Sequence, residues 1–201
     1  SVITPDGHFS LDGFRAFFGQ RYYVRSISNS LKVSVAATVI SLLVGVPLAY
    51  FYQMYELKGK SLLQVLIILC SMSAPFIGAY AWIVLMGRSG IFTKLLGGIG
   101  IKVGSIYGFK GILLVLTLQL FPLVFLYTCG ALKNIDNSLL EASINMGRSG
   151  TKMFLTVVIP LCMPTIIAAA LLVFMRAFAD FGTPLLIGQG YKTFPVIIDD
   201  A

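Results

Sequence analysis

Residues 141–160 read EASINMGRSGTKMFLTVVIP, and this stretch organises everything around it. It is a short run of small and polar residues between two long apolar ones. Glu141-Ala142-Ser143 is followed by three residues, Gly147, a nine-residue gap, and then Val157-x-Ile159-Pro160. Upstream lies Gly111–Leu132 and downstream Met153–Met175, neither with a charged residue. Each is long enough to cross a bilayer, which takes roughly 20 residues. Two further uncharged runs, Val33–Tyr55 and Ser61–Gly87, have the same character. In hydrocarbon an unpaired backbone group is costly, so each run must be helical. The expectation is an all-α, polytopic transmembrane helical bundle with about four spans in these 201 residues.

Composition agrees. The chain is 57% hydrophobic and 11% charged, where a soluble domain carries about 25% charged residues. A soluble helical protein would need polar helix faces, and these runs are apolar all round. The net charge of +7 invites an anionic partner. The basic residues are scattered rather than striped, so they read as interfacial anchors near lipid headgroups and not as a nucleic-acid surface. Cys70, Cys129 and Cys162 fall singly in three apolar runs and read as small core residues. His8 is the sole histidine. No metal-ligand spacing and no catalytic constellation occur, so neither a metal site nor a catalytic residue is expected.

Residues 1–32 mix aromatics (Phe9, Phe14, Phe17, Phe18, Tyr22, Tyr23) with Arg15, Arg21 and Arg25. That suits either an amphipathic interfacial segment or a cap on the bundle. The remainder, 33–201, reads as one transmembrane domain containing the loop 133–152. The first span is rich in Ala, Ser and Gly, which lets helices approach closely and places it inside the bundle. ELKGK at 56–60 makes a tight polar turn, and a glycine-rich connection fills 88–110. Every span holds proline: Pro47, Pro75, Pro122, and the pair Pro160 and Pro164. Together these suggest bent helices around a pathway. With a new apolar start at Phe194–Ile198, the chain reads as a piece of a longer one.

The spacing at 141–160 resembles the coupling loop of ATP-binding-cassette (ABC) importer permeases of MetI-like fold, Glu-Ala-Ala-x3-Gly-x9-Ile-x-Leu-Pro. Here Ser143, Val157 and Ile159 are mild replacements at unchanged spacing. The resemblance implies a short cytoplasmic helix docking on a dimer of ABC ATPase subunits, with Glu141, Ala142, Ser143 and Gly147 as coupling residues. Asn134, Asp136, Asn137 and Ser138 can cap a helix beginning at Glu141, whose charge would then suit the helix dipole. The chain has no G-x-x-x-x-G-K-[ST] phosphate loop, since GRSGTK at 147–152 lacks the spacing. No cofactor is therefore expected in this chain; ATP and magnesium would be bound by the partner ATPase.

With residues 133–152 in the cytoplasm, Lys and Arg number five inside (Lys58, Lys60, Lys133, Arg148, Lys152) and ten outside. The positive-inside rule favours the reverse. The docking loop decides, because it has one workable side.

Residues 176–184, RAFADFGTP, form the second signal. Arg176 and Asp180 lie one helical turn apart and can pair. Ionisable residues at the end of a span are costly unless they face water or each other, so both are candidate pathway residues. This segment resembles molybdate- and sulfate-type permeases, and more closely iron(III)-type permeases. That likeness extends weakly over Asn29-Ser30-Leu31 and Gly45-Val46-Pro47-Leu48-Ala49. It implies a bacterial inner-membrane, multi-pass subunit with an extracytoplasmic solute-binding protein, a second permease half, fused or separate, and iron(III) as the first substrate expected. Thiamine, polyamine, phosphonate, sulfate and molybdate importers share much of the pattern. The competing class is an ion-coupled secondary transporter, which would need charged or broken-helix sites near mid-membrane.

Overall fold

The structure, a computed structural model, describes residues 21–55, 59–71, 75–87, 90, 107–147, 150–188, 191, 193 and 195–196. Among them are seven helices and no strand. These are α1 (Arg21–Met54), α2 (Lys60–Ser71), α3 (Pro75–Met86), α4 (Phe109–Lys133), α5 (Asn137–Asn145), α6 (Gly150–Ala179) and α7 (Gly182–Ile187). Within α6, residues Phe154–Val158 form a π turn.

Among the described residues, three helices are long and apolar enough to cross a membrane: α1, α4 and α6. Along the expected fourth span, Ser61–Gly87, the described residues form α2 and α3, of 12 residues each, and residues 72–74 between them lie outside the described residues. Proline has no backbone N–H and disfavours helical geometry in the residue before it. It is well suited to the first position of a helix, and Pro75 opens α3. At the end of α2, the Ser71 hydroxyl donates to Ile68 O at 2.7 Å. Pro47, Pro122 and Pro164 stay inside continuous helices. A π turn lies directly before Pro160.

The first span also begins earlier than the apolar run does. Helix α1 is described from Arg21, so residues 21–32 continue directly into the first span. Backbone hydrogen bonding carries the helix through this more polar stretch, since nothing in 21–32 breaks it. Residues 1–20, Arg148 and most of the 88–110 connection lie outside the described residues.

Two buried clusters fix the bundle. One joins Val33, Ala37 and Val46 of α1 with Ile112, Val115 and Leu116 of α4, Val173 and Ala177 of α6, and Ile187 of α7. The other joins Ala49, Tyr50 and Tyr52 with Ile67, Phe125, Cys129, Met153, Val158 and Cys162. The early parts of α1 and α4 therefore meet the late part of α6, so α1 and α4 run together and α6 runs against them. Ile67 of α2 belongs to the second cluster, while Trp82 and Ile83 of α3 pack on the first. Among the described residues, the α2–α3 pair thus runs in the direction of α6.

Helices α1 and α4 approach closely at Gly45, where a Cβ would lie 2.8 Å from Val124 Cβ. Ser34 and Thr38 of α1 sit inside bonded to their own backbone: Ser34 Oγ donates to Ser30 O at 2.8 Å and Thr38 Oγ1 to Ser34 O at 2.7 Å. Outward faces carry Leu43, Leu62, Leu69, Leu155, Leu171 and Met175, each at least 60% exposed, as lipid-facing positions require. Cys129 and Cys162 are buried, but Cys70 is exposed on α2 and is not a core residue.

Candidate functional site

Two features stand at opposite ends of the bundle. The first is helix α5 with the start of α6. Asp136 caps α5: its carboxylate accepts from the Ser138 N–H at 3.0 Å. This bond, together with the Ser138 side chain, holds the Asp136 carboxyl below its ordinary range. The cap sits five residues before Glu141. Glu141 therefore occupies the second turn of α5 and not its acidic start, because Asp136 supplies a better-placed acceptor for the free N–H groups. The far end closes at Gly147, whose φ of 75° favours glycine, with its N–H donating to Ile144 O at 2.9 Å.

Glu141, Ala142 and Gly147 are exposed, as are Leu139 (49%), Ile144 (55%) and Met146 (73%). Ser143 alone of the four expected coupling residues turns inward. It is 3% exposed, and its Oγ has no hydrogen-bond partner among the described residues. The two halves of the 141–160 pattern meet here. Ala142, Ser143 and Met146 face Val157 and Pro160 across a mostly apolar cleft of about 400 Å³. The π turn precedes Pro160 directly, with the Ile159 N–H reaching back to Phe154 O. At the same end Tyr50 Oη donates to Gly150 O at 3.4 Å, and the Tyr50 and Phe154 rings lie 4.5 Å apart. The start of α6 is thereby tied to the end of α1.

The second feature is a cavity of about 270 Å³ between α2, α4 and the α6–α7 junction, lined by Ser71, Gln119, Arg176 and Asp180 among apolar side chains. Arg176 and Asp180 share this cavity, but the expected pair between them is not made. Asp180 ends α6 with extended backbone, and its Oδ2 accepts from the Thr183 N–H at 3.2 Å. Capping α7 offers that carboxylate a fixed donor, which an exposed, flexible arginine does not. Sequence reasoning passed over Gln119 and Ser71. The signal for Gln119 was present, since it is the one side-chain amide in the run 111–132.

The model of one protein family, the binding-protein-dependent transport system inner membrane component, matches residues 41–199. The chain is 32% identical over 175 residues to the ferric transport system permease protein FbpB of Actinobacillus pleuropneumoniae, covering 86% of this chain and 26% of that protein. It is 33% identical over 197 residues to the spermidine/putrescine transport system permease protein PotB of Haemophilus influenzae, covering 94% and 68%. To the molybdenum transport system permease protein ModB of Escherichia coli it is 31% identical over 162 residues, covering 80% and 70%. The chain thus spans about a quarter of the length of the ferric relative and about two thirds of the others. Its fold matches a chain from the crystal structure of a bacterial ABC transporter involved in the import of the acidic polysaccharide alginate. That match has a TM-score of 0.74 at 20% identity, over 94% of this chain and 68% of the other.

Proposed function

The chain belongs to the family of binding-protein-dependent transport system inner membrane components, and from that premise we propose that it is the permease subunit of an ABC importer in a bacterial inner membrane. The observation that carries this is the meeting of Ala142 and Ser143 with Val157 and Pro160 in one cleft beneath an exposed helix. A spacing of this length has no reason to exist in a plain connecting loop. It has one where a short helix must be held rigidly against the next span so that a push on it moves the span.

In this account α5 is cytoplasmic and docks on an ATPase dimer through Glu141, Ala142 and Gly147, with Ser143 anchoring it to the bundle. ATP is bound and cleaved on the partner. Closure of the ATPase pair shifts the membrane helices between inward- and outward-open arrangements. An extracytoplasmic binding protein delivers the solute, and a second permease half completes the pathway. Arg176 and Asp180 line that pathway. Iron(III) is the first substrate proposed, supported by the likeness to ferric permease proteins of Actinobacillus pleuropneumoniae and Haemophilus influenzae. The similar likeness to polyamine and molybdenum permeases keeps those classes as alternatives.

The test is cross-linking in native membranes. Cys70, Cys129 and Cys162 are replaced, and a single cysteine is set at the exposed Ala142. A thiol-to-amine linker should join the full-length chain to an ATPase subunit. A cysteine at Leu171, on the outward face of α6, should not be joined to it. Equal yields from both positions would remove the docking assignment.

A further inference from the structure

The cavity at the α6–α7 junction holds the parts of a polar network that is not assembled. Its polar lining is Ser71 from α2, Gln119 from α4, and Arg176 and Asp180 from α6 and its end. Ser71 is committed, donating to Ile68 O at 2.7 Å. Gln119 Oε1 is an acceptor sealed from solvent with no partner among the described residues. Asp180 Oδ2 accepts from the Thr183 N–H at 3.2 Å. A carboxylate offers about four acceptor positions, so capping α7 does not exhaust it. Arg176 is exposed and has neither a hydrogen bond nor an ion pair among the described residues. Two acceptors, one of them anionic, thus line the same space as an unused fork of N–H donors.

These groups are recessed. Gln119 is the eleventh residue of α4. Helix α7 leads from the end of α6 back to the start of α4, where the Gly108 N–H donates to Ile187 O at 2.9 Å. The cavity therefore lies within the bundle, one short helix below its rim. A charged group at such a depth is costly unless it faces water or a partner, and a buried acceptor without a donor is costly as well. A long arginine side chain has two resting places there: outward, with its head in water, or inward, with its head on the acceptors. Turning inward removes both penalties and fills the space of the cavity. It also ties α6 to α4, since Arg176 belongs to one helix and Gln119 to the other.

We propose that Arg176 is a latch: its side chain swings into the cavity, bonds Gln119 Oε1 and the Asp180 carboxylate, and closes the cavity to small molecules. The structure holds the latch open. In a bilayer the inward position is favoured, because it gives Gln119 Oε1 a donor and the guanidinium a counter-charge. Arg176 is the moving part, and Gln119 and Asp180 receive it. As a gate on a solute pathway the latch rests on the permease assignment; as a bond between α6 and α4 it does not.

The test reads the rate at which N-ethylmaleimide labels Ser71→Cys in membrane vesicles containing the full-length chain with its partners, the three native cysteines having been replaced. The reagent is uncharged, so the field of Arg176 does not itself set the rate. Arg176→Met keeps the length of the side chain and removes its donors. Gln119→Leu keeps the shape of the amide and removes its acceptor. Each should speed labelling by at least about twofold, the low end of couplings between groups in contact. The double variant should be no faster than either alone, because both open one latch. Arg176→Lys, which keeps a charged donor, should restore part of the protection. Labelling of Leu114→Cys, on the exposed face of α4, should not respond to any of these changes. Where Ser71→Cys does not insert, Ala179→Cys on the same cavity takes its place. Independent, multiplying effects of Arg176→Met and Gln119→Leu, or no effect of either, would overturn the proposal. Recovery of the ATPase from the same vesicles reads the permease assignment separately. If the ATPase is recovered while the two changes act independently, only the latch falls. If they act as one without any ATPase, the latch stands and its place in an importer falls.

Discussion

At the scale of single residues, Ser143 separates what the loop needs from what it tolerates. It is buried, and its hydroxyl is unpaired among the described residues, a situation that costs about 1–3 kcal/mol. Alanine at this position would remove the unpaired group and keep the volume nearly unchanged. Ser143→Ala is therefore expected to melt at an equal or higher temperature in detergent and to retain its ATPase partner. A loss of ATPase recovery would show that the hydroxyl is used by the docked complex. Asp136 gives a prediction with a definite sign. Its carboxyl is held below the ordinary range, so the cap is fully present above the unfolded carboxylate pKa of about 3.9. The cap is lost only as pH falls through the lower, folded value. Hydrogen exchange at the Ser138 and Leu139 amides, corrected for intrinsic rate, should be level from neutral pH down to mild acid. Asp136→Ala should show fast exchange throughout, and slowing of that exchange in acid would contradict the assignment.

At the scale of elements, the sequence made some features plain and hid others for physical reasons. The apolar runs at 111–132 and 153–175 lie within α4 and α6, and that at 33–55 lies within α1 save for Tyr55, because length and freedom from charge are local properties. The extension of α1 back to Arg21 was hidden, since composition changes at Val33 while the backbone does not. The position of Glu141 within α5 turned on which of four capping candidates was used, a choice between near-equal side chains. The cleft joining Ala142 to Pro160 could be inferred only as a spacing; its geometry depends on a π turn that no local signal announces. The small-residue character of α1 was legible and has a measurable consequence. A methyl added at Gly45 would stand 2.8 Å from Val124 Cβ and Cγ1 and 3.1 Å from the Phe121 carbonyl oxygen. Gly45→Ala should therefore destabilise the α1–α4 contact by about 1–3 kcal/mol. Val124→Ala in the same chain should return part of that loss, a coupling that a double-mutant cycle on thermal unfolding measures. Simple additivity would mean the two helices do not meet there.

At the scale of the whole molecule, α4 is the centre and α6 the mobile candidate. Half or more of the apolar windows of α1 and α4 is buried, against 22% for α6. Helix α6 is also the element that begins beside the docking helix and ends at Arg176 and Asp180. One helix thus links the loop on which an ATPase would act to the cavity through which a solute would pass, and the π turn and Pro160 lie between them. This arrangement makes docking at α5 the central claim, because without a partner there α6 has nothing to move it. The most direct measurement is recovery of the full-length protein from detergent-solubilised native membranes, as wild type and as Gly147→Glu. Glutamate there places a charge on the exposed surface beside α5 and strains a backbone of φ 75° by about 1–3 kcal/mol. Membrane insertion and a monodisperse elution profile should survive in the variant. The account predicts an ATPase subunit bound to the wild type and absent from Gly147→Glu. An ATPase recovered equally with both, or with neither from intact protein, would contradict it.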